Sequence, residues 1–179
     1  IMFQYERDAQ RVYEAIIRRM ELFGLELSKE KTRILPFGRN CGTRETFDFL
    51  GFTHFNSKTR KGYYSVGHMI SRKKKKQFKS NLKKWVKENR DKQFDEFMKK
   101  LNKKLTGSFN YYSLSGMIRE VRSIWIHSLY VTFKWMNRRS QRRSFKLERF
   151  YEIWHERIIH PYIHVDIWSG DKVIYNKKV

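Results

Sequence analysis

The chain predicts an α+β fold: a short helix-plus-strands part followed by a mainly α-helical bundle. Three observations carry this. Apolar residues recur every three or four positions from Glu6 to Phe23, then come in short alternating runs up to Val66. From Ser71 onward only the helical period remains. Apolar residues make up 40% of the 179 and aromatics 16%, enough to build a core and unlike a disordered tail. No internal repeat and no Pro- or Gly-rich linker interrupts the chain. The boundary is therefore the change of pattern near residues 67–71, with Gly67 as its punctuation. It divides the chain into residues 1–70 and 71–179.

Taken in order, Glu6 to Phe23 places Ala9, Val12, Ile16, Met20 and Phe23 on one helical stripe, with Arg and Glu opposite. Gly24 supplies a C′ stop. Thr32-Arg33-Ile34-Leu35-Pro36-Phe37 reads as a strand ended near Pro36, because proline cannot donate to a ladder. Gly38 to Glu45 is a polar loop. Phe47-Asp48-Phe49-Leu50-Gly51-Phe52 reads as a second strand, with Phe47 and Phe49 on one face. Asn56 to Gly62 is a basic turn, and Tyr63-Tyr64-Ser65-Val66 returns as a hairpin partner. The abrupt entry at Ile1-Met2-Phe3-Gln4-Tyr5 suggests a C-terminal fragment of something longer.

Ser71 is placed to cap a helix whose apolar stripe is Phe78, Leu82, Trp85 and Val86. Its other faces carry Arg72, Lys73, Lys74, Lys75, Lys76, Lys79, Lys83, Lys84 and Lys87. A second helix uses Phe94, Phe97, Met98, Leu101 and Leu105 and is expected to stop near Gly107. A third starts at about Met117 and uses Ile118, Val121, Ile124, Trp125, Leu129, Phe133 and Met136. A fourth starts after Ser144 and uses Leu147, Phe150, Tyr151 and Trp154.

Charge narrows the function. Lys plus Arg is 40 against 18 Asp plus Glu, a net charge of +22. That excess suits a polyanionic partner. Residues 72 to 104 alone hold 15 Lys/Arg against four acids. A solvated face kept lysine-rich for solubility is the plain alternative for that run. The stretch Trp135-Met136-Asn137-Arg138-Arg139-Ser140-Gln141-Arg142-Arg143-Ser144-Phe145 sharpens the case, because four arginines fall within six positions. A guanidinium is a fixed fork that meets phosphate oxygens two at a time. If the helix continues here, Arg138 lies one turn from Arg142 and Arg139 one turn from Arg143. Like charges at that spacing repel by a few tenths of a kcal/mol, which an anion would offset. Cations closing a helix C-terminus are the alternative.

A membrane surface fits poorly, since Lys occupies more than one side of a narrow apolar stripe. No run approaches the ~18 apolar residues of a spanning helix. Cys41 is alone, so no disulfide framework exists and a reducing compartment fits.

Metal-dependent polymerisation needs paired carboxylates, and none stands out. Asp48, Asp166 and Asp95-Glu96 read as surface or capping acids. Cys41, His54 and His68 match no zinc spacing, so no metal site is assigned. Tyr111 and Tyr112 offer stacking platforms, whereas Phe78, Trp85, Phe133 and Trp154 at helical spacing read as core.

The run Asn110-Tyr111-Tyr112-Ser113-Leu114-Ser115-Gly116, followed by Phe133-Lys134-Trp135-Met136-Asn137-Arg138-Arg139-Ser140-Gln141-Arg142-Arg143-Ser144, resembles the thumb or maturase (X) domain of group II intron-encoded reverse transcriptases. Met136 stands where that family usually has leucine. Phe23-Gly24-Leu25-Glu26-Leu27-Ser28-Lys29-Glu30-Lys31-Thr32 resembles the family's sixth polymerase block. Phe47-Asp48-Phe49-Leu50-Gly51-Phe52 resembles its seventh, at the palm–thumb junction.

The resemblance implies the end of a palm over residues 1–70 and a thumb over 71–179. It implies primer-grip-like roles for Phe49, Leu50, Gly51 and Phe52. Partners would be structured group II intron RNA, an RNA–DNA template–primer duplex and a missing fingers–palm half, in the bacterial cytoplasm or an organelle. The catalytic tyrosine-x-aspartate-aspartate turn of the family is absent here, so Mg²⁺ is expected only for the intact polymerase. A non-catalytic RNA-binding module on the same scaffold is the alternative.

Overall fold

A computed structural model describes residues 1–28, 30–139 and 144–166. In these the chain is α+β, with five helices and one three-stranded antiparallel sheet. The helices are α1 (Glu6–Leu22), α2 (Arg72–Asn89), α3 (Phe94–Tyr112), α4 (Ile118–Met136) and α5 (Leu147–Arg157). The strands are β1 (Thr46–Phe49), β2 (Phe52–Lys58) and β3 (Tyr64–Ile70), paired in the order β1-β2-β3. The chain resolves into two compact units, one of residues Ile1–Phe47 and Phe55–Val66, the other of Asp48–His54 and Gly67–Val179.

In the first unit, α1 ends at Gly24 as its glycine requires. Gly24 has φ +66, its amide bonds to Glu21 O at 3.0 Å, and the Leu25 amide reaches Met20 O at 3.0 Å. This is a Schellman closure. The helix is amphipathic, yet it buries no residue, and Leu22 and Phe23 are exposed.

The expected strand over Thr32–Phe37 does not form. That segment is extended but pairs with no strand. Pro36 lacks an amide, and the segment is held instead by side chains. Arg33 Nη2 donates to Thr46 O (3.1 Å), Thr43 Oγ1 donates to Pro36 O (3.2 Å), and Phe37 packs edge-on to Phe47 (4.9 Å).

The expected strand Phe47–Phe52 is also not one strand. It reverses at Leu50-Gly51, which have φ +49 and +82. Two successive positive φ values mark a type I′ hairpin turn, the tightest link between β1 and β2. A leucine in the left-handed region gives no warning of this in the sequence.

The second unit is a helical bundle. Its core joins Phe52 and Ile70 to Leu82 and Val86 of α2, Phe97, Leu101, Leu105 and Phe109 of α3, Val121 and Ile124 of α4, and Phe150 and Trp154 of α5. Ser71 caps α2 by accepting from the Lys74 amide at 3.4 Å. The expected stop at Gly107 does not occur, and α3 runs on to Tyr112. Burying Phe109 outweighs the roughly 1 kcal/mol that a mid-helix glycine costs. Beyond α5 the chain returns along α3. Ile159 N donates to Asn102 Oδ1 (2.8 Å), Tyr162 Oη donates to Asn110 Oδ1 (2.6 Å), and the His164 and Val165 amides both reach Ser113 O.

Candidate nucleic-acid interface

Helix α2 organises the candidate residues, and its period sorts them. Leu82 and Val86 point to the core, and α4 covers the neighbouring side. Lys75 and Lys79 lie on that covered side and are half-buried. Lys75 Nζ meets Glu120 Oε2 of α4 at 2.9 Å. The Lys79 ammonium, after burial, helps push His127 of α4 below the usual histidine range. Arg72, Lys73, Lys76, Lys83 and Lys84 are exposed on the far side. Among the described residues, Arg72, Lys73, Lys76 and Lys83 face no carboxylate partner, and Lys84 reaches Glu88 only at 4.0 Å. So five cations form the outward face, and two of the eight singled out from sequence serve the α2–α4 contact.

At the N-terminal end of α2, the hairpin tip and the tyrosine pair come together. The Ser71 amide donates to Gly51 O at 2.9 Å. Tyr111 Oη donates to Leu50 O at 2.6 Å and its ring stacks on Phe52 at 5.6 Å. Tyr112 meets Phe52 edge-on at 5.6 Å and Tyr111 at 4.8 Å. Both tyrosines thus pack on one phenylalanine. They are neighbours about 100° apart on the last turn of α3, and Phe52 sits between the two directions.

Burial, with Tyr111 beside it, raises the Tyr112 phenol above its usual range. Lys74 closes the site. A Cβ on Gly51 would lie 3.5 Å from Lys74 Cγ and 3.8 Å from Tyr112 Oη. Phe49 and Leu50 remain exposed at the tip, Leu50 at 67%.

The arginine stretch lies at the other end. Helix α4 stops at Met136 and the chain turns through Asn137 and Arg138, so the helix does not continue through Arg138 and Arg139. Asn137 makes the turn. Its Oδ1 accepts from Phe145 N (2.9 Å) and its Nδ2 donates to Phe145 O (3.0 Å). Arg142 and Arg143 lie outside the described residues.

Around Trp135 the cations gather. The Arg138, Arg90 and Lys87 heads lie 5.4, 5.6 and 5.7 Å from the indole. Arg90 Nη1 donates to Arg138 O (3.4 Å), and Arg139 Nη1 donates to Arg90 O (3.0 Å). Among the described residues only Asp91 offers a carboxylate, 3.9 Å from Arg90 Nε. The indole face attracts cations that would otherwise repel one another. Arg90 and Trp135 escaped sequence reading because 45 residues separate them, and no local pattern links them.

The two groups are therefore apart. Lys74 marks one end of α2 and Lys87 the other, about 20 Å along the axis at 1.5 Å per residue. The outward lysines run between them.

The acids weighed as metal ligands are engaged elsewhere. Asp95 pairs with Arg157, Glu96 with Lys100, Asp48 accepts from Thr53, and Asp166 accepts from Ser115. His54 and His68 face each other, Nδ1 to Nδ1 at 2.9 Å. Among the described residues, no three His, Cys, Asp or Glu side chains gather to hold a metal ion, and no helix is long and apolar enough to cross a membrane.

Residues 75–152 match the group II intron, maturase-specific domain. No curated protein and no solved structure matches the chain.

Proposed function

From residues 75–152, which belong to the group II intron maturase-specific family, we propose that the outward face of α2 and the cations around Trp135 bind intron RNA. The family gives the chain a maturase-related role in intron splicing. The observation that supports the interface is the unpaired face itself. Arg72, Lys73, Lys76 and Lys83 have no carboxylate partner among the described residues, and Lys87, Arg90 and Arg138 converge beyond them. Phosphate contacts along this track would position the RNA, and its shape would supply selectivity.

In an intact polymerase, the Phe49–Phe52 tip and α2 would grip a template–primer duplex. Carboxylates and Mg²⁺ would come from a fingers–palm part, and the site of action would be the bacterial cytoplasm or an organelle. The engaged state of Asp48, Asp95, Glu96 and Asp166 favours a second reading for this chain by itself, a non-catalytic RNA-binding module. Primer extension after adding a separate fingers–palm chain with Mg²⁺ separates the two. Restored synthesis supports the polymerase thumb, and none supports the module.

The test of RNA binding is a salt series with structured intron RNA and heparin competitor. The variant carries Arg72, Lys73, Lys76, Lys83 and Lys84 all changed to Ala. Each lost phosphate contact lowers the log–log salt slope by about one. An unchanged slope, or equal binding to every polyanion, would overturn the reading.

A further inference from the structure

Helices α4 and α5 enclose a cleft of about 790 Å³, inside the roughly 300–1,000 Å³ range of small-ligand pockets. Ile126 and Tyr130 of α4 and Leu147 and Tyr151 of α5 line it. These four are exposed by 42, 55, 39 and 49%. Scattered exposed apolar residues need no explanation, but a gathered set marks an interaction site. The lining is close to neutral in a chain of +22. Glu152 is paired with Arg149 at 2.7 Å, and Arg122 offsets Glu148. Ring chemistry, and not charge, therefore selects the occupant.

The wall of the cleft is aromatic. Tyr151 contacts His155 at 4.2 Å, His155 contacts His160 at 4.7 Å, and His160 stacks on Trp125 at 5.6 Å. Burial, and then the neighbouring His160, lowers the proton affinity of His155 and favours its neutral form. Tyr130 and Tyr151 line the cleft from different helices, and among the described residues no ring contact joins them, so space remains between the two rings. Two buried polar atoms of the wall, Trp125 Nε1 and His155 Nε2, have no hydrogen-bond partner among the described residues. An indole N–H can only donate. A hydrocarbon occupant would leave both atoms unsatisfied. A nucleobase carries donors and acceptors on its edge and a π face on either side.

We propose that the α4–α5 cleft receives one unpaired base of an RNA strand, stacked on Tyr130 or Tyr151 with its edge toward Trp125 and His155. Splayed-out single-stranded bases are read in this way, by stacking and by hydrogen bonds to their edges. The four apolar lining residues all fall within the maturase-specific match at residues 75–152. The inference rests on the RNA-binding reading for its partner, but it uses the side of α4 turned toward α5 and no residue of the α2 face.

The probes are two seven-nucleotide strands of equal charge. One carries a single adenine at its centre and no other base. In the second, that sugar is bare as well. Binding to the full chain is read by fluorescence anisotropy at one salt concentration, with NMR shift mapping to locate the adenine. The phosphates are identical, so the ratio of the two affinities reports the base alone, whatever the α2 face contributes.

The expected result is that the adenine strand binds about fivefold tighter or more and shifts Ile126, Tyr130 and Tyr151. The preference is lost in Tyr130→Ala with Tyr151→Ala and kept in Tyr130→Phe with Tyr151→Phe, which retains both rings. Both tyrosines are exposed, so truncating them leaves the bundle core in place. In the five-alanine α2 variant both strands weaken together and the ratio stays. If the α2 alanines change neither affinity while the ratio holds, the α2 reading fails and the cleft assignment stands. Equal binding of the two strands, a preference that survives the change to alanine, or adenine shifts outside the cleft would each overturn the proposal. So would shifts of Tyr130 and Tyr151 by a leucine-rich amphipathic peptide and not by the adenine strand, which would assign the cleft to a protein.

Discussion

At the N-terminal end of α2, three aromatic rings close on a β-turn. At its C-terminal end, three cations surround one indole, with a fourth tied in behind. Phe52, Tyr111 and Tyr112 are ordered by burial and by one hydrogen bond to Leu50 O. Lys87, Arg90 and Arg138 are brought together against their mutual repulsion by Trp135 and by carbonyl contacts. One helix thus carries a stability device and a charge device about 20 Å apart. Residues that look like a single binding set in sequence have different jobs. Substitutions in the aromatic cluster should act on folding, and those of the cations around Trp135 on RNA.

The largest effect that separates the ends is Phe52→Ala. Removing a core-linked ring should cost about 3 kcal/mol in denaturant unfolding, with the RNA salt slope unchanged. A slope that falls with it would merge the two ends into one site. Next comes Arg138→Ala with Arg139→Ala. Affinity for structured RNA should drop about tenfold, near 1.4 kcal/mol, and the slope by about two, while unfolding moves by less than roughly 1 kcal/mol.

Tyr111→Phe sharpens the first end. It removes the bond to Leu50 O and should cost about 1 kcal/mol. In that background Leu50→Gly should return about half of it by relieving the positive φ.

The smallest effect is with pH. His68, His127 and His155 are all lowered from 6.5 in the fold, chiefly by burial. The unfolded chain therefore binds more protons below pH 6.5, so stability present at neutral pH is lost as the pH falls. Melting temperature should decline between pH 7 and pH 5. His68→Gln and His127→Gln, made separately, assign the decline to the hairpin or to the α2–α4 contact.

Helix periodicity was the legible part of this sequence. Leu82 and Val86, Phe97, Leu101 and Leu105, and Val121 and Ile124 all face the core as their spacing requires, and Ser71 and Gly24 cap as their chemistry suggests. What escaped reading was decided by distant partners. Gly107 stays helical because Phe109 is buried beyond it. The Phe47–Phe52 run looked like a strand because a leucine occupies a position that usually goes to asparagine or glycine. The α2 cations could be counted from sequence, but Lys75 turns inward because Glu120 stands on α4, and Lys79 lies one turn further along the same half-buried side. Trp135 as a cation platform depends on the α2–α4 crossing, which no local window contains.

The return of the chain along α3 has a consequence for biosynthesis. Asn102 and Asn110 find their partners 57 and 52 residues later, at Ile159 and Tyr162. Closing loops of that length is slow relative to forming the local turns of α2 and α3. While a ribosome is still making α5, α2 already presents its lysines, but α3 lacks its outer strap. The nascent chain therefore carries its basic helix face before its bundle is fastened.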